Sequence, residues 1–215
     1  MKHWRRILLT GLMLLVFASV GTGLVAVTYE GTKTRIARNE RDAILRYLHQ
    51  IIDPERHNND LLKDSIEVVN PAWLGSDEPQ PIYLARQDNI PVALIITAIA
   101  PDGYNGKIKL LVGINMAGII EGVRVVSHHE TPGLGDNIDL QRSDWILGFH
   151  GRSLKNPVVR KWAVKKDGGV FDQFTGATIT PRAVVKAVKR ALLYFQDHHD
   201  ELVAEIMQQR KQQHE

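Results

Sequence analysis

Hydrophobic residues follow helical patterns at both ends of the chain. Residues 7–28 carry no charge and are long enough to span a bilayer core. From Thr32 to Ile52, apolar residues recur at helical spacing among charged ones, which predicts an amphipathic helix that ends at Asp53-Pro54. A last apolar stripe predicts a helix from Pro181 to Gln209, with Thr180 as its N-cap.

Strand patterns fill the middle of the chain. Val92–Ala100 is almost wholly apolar and β-branched, which is typical of a buried strand. Residues 108–116 and 119–126 flank Ala117-Gly118 and predict a hairpin. Shorter elements complete the series: an edge strand at 66–69, a strand at 82–86, strand pieces at 158–164 and 169–171, and a short helix or turn at 141–148. Because strands lie between helices, the prediction is an α+β fold with one N-terminal transmembrane helix, a central mainly antiparallel sheet and flanking helices.

The N-terminus is basic. Lys2, Arg5 and Arg6 precede the apolar run, which places the N-terminus in the cytoplasm and the rest of the chain outside it. A cleaved signal peptide is the alternative, but the run is long and no clear A-x-A site closes it, so a retained anchor is favoured. A surface-lying membrane helix is the alternative for residues 32–52, and its mixed Glu and Arg face argues against it. The resulting domain prediction is a cytoplasmic N-terminus at 1–6, a transmembrane helix at 7–28, a juxtamembrane amphipathic helix at 29–53, an extracytoplasmic domain at 54–207 and a polar tail at 208–215.

Composition excludes several kinds of chemistry. The net charge of +3 gives no indication of nucleic-acid binding. The chain has no cysteine, which excludes disulfides, cysteine-ligated iron–sulfur clusters and C-x-x-C-H haem attachment within it. If the chain moves electrons, its redox group therefore has to be a bound cofactor.

The run from Asp172 to Thr178 is the most informative motif. It reads D-Q-F-T-G-A-T, and two small residues, Gly176 and Ala177, lie between the hydroxyls of Thr175 and Thr178. Thr178 lies at the predicted start of a helix, where unpaired N–H groups and the positive end of the dipole favour an anion such as a phosphate. An ordinary helix cap is the alternative interpretation.

This run resembles the D-x-x-[ST]-G-A-T motif of domains that carry FMN covalently, through a phosphoester on the last threonine. In that family a flavin transferase moves FMN from FAD onto the hydroxyl, and the leading aspartate, here Asp172, is the position that the transferase needs. A second stretch resembles the same domain: D-G-Y-N-G-K at 102–107, the predicted hairpin, and E-T-P-G-L-G at 130–135. With the anchor and the length, nearly the whole chain resembles the G subunits of Rnf (Rsx) electron-transport complexes. The C subunits of sodium-pumping NADH:quinone reductases share the motif but are usually longer.

The resemblance implies a membrane-anchored flavoprotein subunit that relays electrons through covalent FMN. Its complex would couple electron transfer on the ferredoxin or NAD side to ion translocation, and the subunit would not be catalytic alone. Its partners would be the membrane, the other subunits and the transferase, with the domain periplasmic on the inner membrane. The alternatives are the quinone-reductase subunit, a structural or assembly subunit without flavin, and a hydrolase using Thr175 or Thr178 with His128 as base, for which no G-x-S-x-G motif is present.

The resemblance also implies the binding residues. Thr178 would be the phosphoryl threonine, and the other candidate residues are Thr175, Gly176, Ala177, Glu130, Thr131, Leu134 and Gly135. Arg182 and Lys186 either neutralise the phosphate or are solvated surface charges. No metal site is predicted, because His128 and His129 are adjacent on a strand pattern and point to opposite faces.

Overall fold

A five-stranded antiparallel sheet is the centre of the computed structural model, which describes residues 2–214. Each strand pairs with the next one along the chain, in the order β1-β2-β3-β4-β5. This is the predicted α+β class. The helices are α1 Lys2–Ile51, α2 Pro71–Leu74 and α3 Ile179–His214, and the strands are β1 Ser65–Val68, β2 Gln80–Gln87, β3 Ile90–Gly103, β4 Gly106–Asn115 and β5 Ile120–Ser127.

The central strand β3 is buried on both faces of the sheet. Leu94 and Ile96 belong to the hydrophobic cluster that includes the apolar stripe of α3. Ala93 and Ile95 belong to a second cluster on the other face, together with Leu48 and other residues near the end of α1. Successive side chains alternate between the two faces, and both faces are apolar, so the strand is a continuous hydrophobic run. The predicted buried strand and the predicted hairpin of β4 and β5 are both confirmed.

The N-terminal helix is continuous where two helices were predicted. The chain divides into two compact units, one up to Ala43 and one from Ile44 onward, and α1 contributes residues to both. Its apolar part is exposed, and among residues 2–214 it is the one helix long and apolar enough to cross a membrane by length and composition. No proline separates the predicted segments, and Gly31 between them costs the helix only about 1 kcal/mol relative to alanine, so α1 continues through both. The helix fits a single-pass membrane protein.

Two predicted strand pieces, at 158–164 and 169–171, are wrong. The segment instead contains short 3₁₀ turns at Val159–Lys161 and Lys165–Asp167, whose backbone N–H groups donate to nearby carbonyls. The remaining strand-like contacts are two isolated bridges, one between Val164 and Phe171 and one between Lys155 and Val158. Trp162, Val164 and Phe171 are apolar because their side chains enter the core, not because they alternate along a ladder, whereas Val158 and Val159 are exposed. Trp162 and Phe171 form an aromatic group with Phe149, which precedes the segment.

Candidate functional site

Three segments that are distant in sequence surround a cavity of about 340 Å³. They are the turn between β3 and β4, the loop that follows β5, and the turn that leads into α3. Seven of the eight candidate binding residues line this cavity, and Thr175 is exposed nearby in the sequence without lining it. The lining residues are Tyr104, Glu130, Thr131, Leu134, Gly135, Gly176, Ala177, Thr178, Ile179 and Thr180.

A buried carboxylate joins the three segments. Glu130 is only 5% exposed. Its Oε1 accepts a hydrogen bond from the backbone N–H of Asn105 at 3.1 Å, and its Oε2 accepts one from the hydroxyl of Thr180. The Asn105 side chain also donates to the hydroxyl of Thr131 at 3.0 Å. These bonds compensate the burial of the carboxylate and fix the walls of the cavity relative to one another.

Gly135 packs directly against this hydrogen-bonded pair. A Cβ added at Gly135 would lie 2.7 Å from Oε2 of Glu130 and 2.8 Å from the hydroxyl oxygen of Thr180. Both distances are below any normal contact with a carbon atom, so a side chain here displaces one or both groups. The second glycine of the E-T-P-G-L-G run, Gly135, is therefore required because Glu130 and Thr180 lie so close to its backbone.

An aromatic side chain, Trp145, stabilises the turn that carries the motif. The indole N–H of Trp145 donates to the backbone carbonyl of Asp172 at 2.9 Å, and its ring contacts the ring of Phe174 edge-on at 5.2 Å. The backbone N–H of Ala177 then donates to the carbonyl of Phe174 at 3.2 Å. Gly176 has a φ of +80° in this turn, which is the left-handed region that glycine adopts without strain.

The last helix begins two residues earlier than the predicted start at Pro181. Helix α3 begins at Ile179, so Thr178 is the residue directly before it and Thr180 is not the N-cap. Pro181 fits within the first turn because the N–H it lacks would have no partner inside the helix. Thr180 is buried and its hydroxyl donates to Glu130. Thr178 is partly exposed at the positive end of a 36-residue helix.

The two basic residues in the first turns of α3 are already paired. Arg182 donates to both carboxylate oxygens of Asp167, at 2.6 and 2.8 Å. Lys186 contacts Asp102 at 2.5 Å. Hydrogen bonds from these cations, assisted by their charge, hold the pKa values of Asp167 and Asp102 below the usual range. Neither cation is a free counter-charge for a phosphate on Thr178.

Asp172 lies at the surface at the start of the motif turn. Its side chain contacts the ammonium of Lys165 at 2.5 Å, and both side chains are more than half exposed. It does not line the cavity. The carboxylate is therefore accessible to another protein, while its backbone carbonyl anchors the turn through Trp145.

Three exposed apolar side chains surround the cavity mouth. Tyr104 is 66% exposed, and Leu134 and Ile179 are also exposed. Sequence reasoning missed Tyr104, Ile179 and Thr180 as site residues. The signal for Tyr104 was its place in the D-G-Y-N-G-K run, whereas Ile179 and Thr180 follow the motif directly. Apolar side chains beside a few convergent polar groups are typical of a small-molecule site.

The remaining polar residues of the loop do not form a metal site. The backbone N–H of Glu130 donates to Nδ1 of His128 at 3.1 Å. Within residues 2–214, no group of three or more His, Asp or Glu side chains is placed to hold a metal ion. The chemistry available at the cavity is thus that of hydroxyls, backbone N–H groups, one buried carboxylate and an apolar rim.

Two known families match the chain. The family described as FMN-binding domain matches residues 103–193, a range that contains every residue lining the cavity. The family described as RnfG N-terminal region matches residues 1–51, which is the first residue and α1.

Three relatives share about half of the residues of this chain over most of its length. Each carries the name of the G subunit of an ion-translocating oxidoreductase complex. The protein of Shewanella amazonensis is 51% identical over 88% of this chain and 88% of its own. The protein of Vibrio cholerae is 52% identical over 89% and 91%, and that of Aliivibrio fischeri is 49% identical over 90% and 92%.

We predict that Gly135→Ala destabilises the protein because the new methyl group separates Glu130 from Thr180. The expected loss is about 1–3 kcal/mol in the free energy of unfolding. Gly148→Ala is the matched control, because a Cβ at Gly148 meets nothing within 4 Å. We expect that variant to change stability by less than about 0.5 kcal/mol. Urea unfolding of the detergent-solubilised protein, followed by tryptophan fluorescence, measures both, and equal stability of the two variants would contradict the prediction.

Proposed function

Because the chain belongs to the family of G subunits of ion-translocating oxidoreductase complexes, we propose that it is a membrane-anchored flavoprotein subunit that relays electrons through FMN within such a complex. The chain would act as one electron-carrying step of the oxidoreductase and would have no catalytic activity alone. The observation that carries this proposal is the cavity, which lies entirely within the FMN-binding match and opens beside Thr178.

The residues present fit the cofactor. The cavity of about 340 Å³ is within the size range of small-molecule sites. Its mouth carries the apolar side chains of Tyr104, Leu134 and Ile179, which suit the face or edge of a flat ring system. Gly176 and Ala177 leave the backbone accessible, and Glu130, Thr131 and Gly135 would form the opposite wall. When bound, FMN supplies a group that accepts and donates electrons, and the chain supplies its position and its electrostatic surroundings.

We propose that FMN is attached through a phosphoester to the hydroxyl of Thr178. Three observations support this threonine. It is partly exposed, it lines the cavity, and it directly precedes α3, whose first N–H groups and dipole favour an anion. Thr175 is exposed outside the lining, and the hydroxyl of Thr180 is committed to Glu130. Because Arg182 and Lys186 are paired with carboxylates, the helix N-terminus would be the main stabilising charge for the phosphate.

The proposed attachment needs a flavin transferase as a partner. Among the described residues that line the cavity, Glu130 is the one carboxylate, and the hydrogen bonds that it accepts come from Asn105 and Thr180, not from the hydroxyl of Thr178. Asp172 is the residue through which we propose that the transferase recognises the chain. Its exposed carboxylate supports this role, and its position outside the cavity avoids repulsion with a phosphate on Thr178.

We further propose that the chain is a single-pass protein of the inner membrane, with residues 1–6 in the cytoplasm and residues 54–207 as a periplasmic FMN-binding domain. The support is the basic N-terminus before the apolar helix. A covalent link suits this location because flavin lost outside the cytoplasm is not readily replaced, and a tether keeps its effective concentration high.

Replacing the proposed acceptor tests the attachment. We expect Thr178→Val to remove covalent FMN and to leave the fold intact, with a stability change of about 1 kcal/mol or less, because Val matches Thr in shape. Thr175→Val is the matched control and keeps flavin. The measurement is flavin fluorescence on a denaturing gel of protein made in cells that have the transferase. If Thr178→Val is fluorescent and Thr175→Val is dark, Thr178 is not the attachment site. If the unmutated chain is dark, the flavoprotein proposal is refuted.

If the transferase recognises Asp172, replacing this residue should reduce flavin attachment although Thr178 is unchanged. Asp172→Ala should yield folded protein with little flavin, because the carboxylate that the transferase would recognise is gone while the backbone carbonyl that anchors the turn remains. Lys165→Ala removes the ion-pair partner alone and serves as the control, with flavin retained. The measurement is flavin per chain at native transferase levels. Full occupancy in Asp172→Ala would show that the transferase does not need this carboxylate.

The proposed orientation predicts the side of the membrane on which the C-terminus lies. A reporter enzyme that is active only outside the cytoplasm, fused after Glu215, should be active because α1 would cross the membrane once. A cytoplasm-only reporter at the same position should be inactive. An active cytoplasm-only reporter together with an inactive outside-only reporter would show that the C-terminus lies in the cytoplasm, which contradicts the proposal.

A further inference from the structure

A basic surface loop precedes the motif that carries Thr178 and has no role in the proposed flavin site. Residues 152–166 contain six Lys or Arg residues and no Asp or Glu. None of the residues in this loop lines the cavity beside Thr178. Positive charge concentrated on one surface segment attracts an acidic partner and speeds its association.

The loop is rigidly held by one buried side chain. The indole N–H of Trp162 donates to the backbone carbonyls of Ser153 and Pro157, each at 3.1 Å. The backbone N–H of Ser153 also donates to the carbonyl of Asn156 at 2.8 Å. Trp162 itself is packed in the aromatic part of the core. The loop therefore presents its outer side chains in fixed positions, which lowers the entropy that binding a partner would cost.

The rigid loop presents two adjacent apolar side chains among cations. Val158 is 49% exposed and Val159 is also exposed, although both are β-branched hydrophobic residues. Lys155 and Arg160 flank them and form no ion pair in the described part of the chain. We call these four residues the valine ridge. An apolar centre with a charged rim is the composition of a protein interface, and arginine is enriched there.

A groove lies directly beside the valine ridge. Its volume is about 450 Å³, and Lys155 and Val159 form part of its wall. Its floor includes Leu154, Leu192 and Phe195 from the loop and from α3. A groove beside a fixed apolar ridge can accept a side chain from a protein surface. A lipid headgroup layer offers no such shape, and two valines present little apolar area for insertion into a membrane.

We propose that the valine ridge is the surface through which this chain docks on an acidic patch of another subunit of its complex. The inference rests on the proposed function, since it requires that the chain is a subunit. Lys155 and Arg160 would pair with carboxylates of the partner, and Val158 and Val159 would be covered by its apolar side chains. The proposed flavin cavity uses none of these four residues, so docking and flavin attachment are separable.

Charge reversal of the ridge tests the proposal in the intact complex. The variant is Lys155→Glu with Arg160→Glu, and the control is Lys63→Glu with Lys211→Glu, two exposed lysines outside the ridge. A tag on a neighbouring subunit isolates the complex from detergent-solubilised native membranes, and the amount of this chain that co-purifies is measured. We expect the ridge variant to fall by roughly tenfold while the control stays at the unmutated level. Flavin fluorescence per chain, measured on total membranes, should be equal in all three and shows that the variant has folded.

Each result of this experiment has a defined meaning. Co-purification of the ridge variant at the unmutated level would overturn the docking proposal and leave the subunit assignment intact. Failure of the unmutated chain to co-purify would refute the subunit assignment, and the docking proposal with it. Loss of flavin together with loss of co-purification would indicate a general folding defect, and a second measurement decides that case.

That second measurement is photo-crosslinking in otherwise unmutated chains. Two variants are made, in which a photoreactive amino acid replaces either Val158 or Ile90. Ile90 is the control position, because it is an exposed apolar residue at the start of β3. We expect a crosslink to another subunit from position 158 and none from position 90. Crosslinks from position 158 to lipid alone, or to no protein, would overturn the proposal.

Discussion

The buried carboxylate of Glu130 is the contact on which the candidate site depends. It accepts one hydrogen bond from the turn between β3 and β4 and one from the first turn of α3, and it lies on the loop after β5. A carboxylate so deeply buried is tolerated only while its hydrogen-bond donors are present, because an unpaired buried charge costs several kcal/mol, on the order of the stability of a small domain. The contact therefore joins three segments that are far apart in the chain, and Gly135 leaves the space in which it forms.

The sheet provides the rigid support for this contact. Hydrophobic clusters cover both faces of β3 from Ala93 to Ala100, so this part of the strand cannot shift without opening the core. The turn that carries Tyr104 and Asn105 is the continuation of that strand. The motif turn is supported separately, by Trp145 beneath it and by the helix that follows. A candidate ligand site built in this way has walls that are fixed before any ligand arrives, which reduces the ordering cost of binding.

Charge around the site is mostly balanced within the chain. Asp102, Asp167 and Asp172 each pair with a lysine or arginine close to the cavity, and all three pairs are exposed. Exposed pairs contribute little to stability, and salt screens them. Their consequence is electrostatic, because they leave the N-terminus of α3 as the main unbalanced positive charge beside Thr178. The cations of the valine ridge lie elsewhere, and this separation supports assigning different roles to the two surfaces.

The sequence alone determined the elements whose signal is local. The apolar run at 7–28, the continuous hydrophobic pattern of β3, the hairpin of β4 and β5 and the stripe of α3 all follow from periodicity, and the composition of the motif drew attention to Thr178. Only the tertiary structure decided which residues from distant segments contact one another. Thr180 was expected to cap a helix, but it bonds to Glu130, 50 residues away, and Asn105 reaches the same carboxylate from 25 residues away. The segments around Trp162 and Phe171 have the apolar composition of strands, yet they form turns because these two side chains pack into an aromatic core. Such contacts depend on the packing of distant segments, which local patterns do not encode.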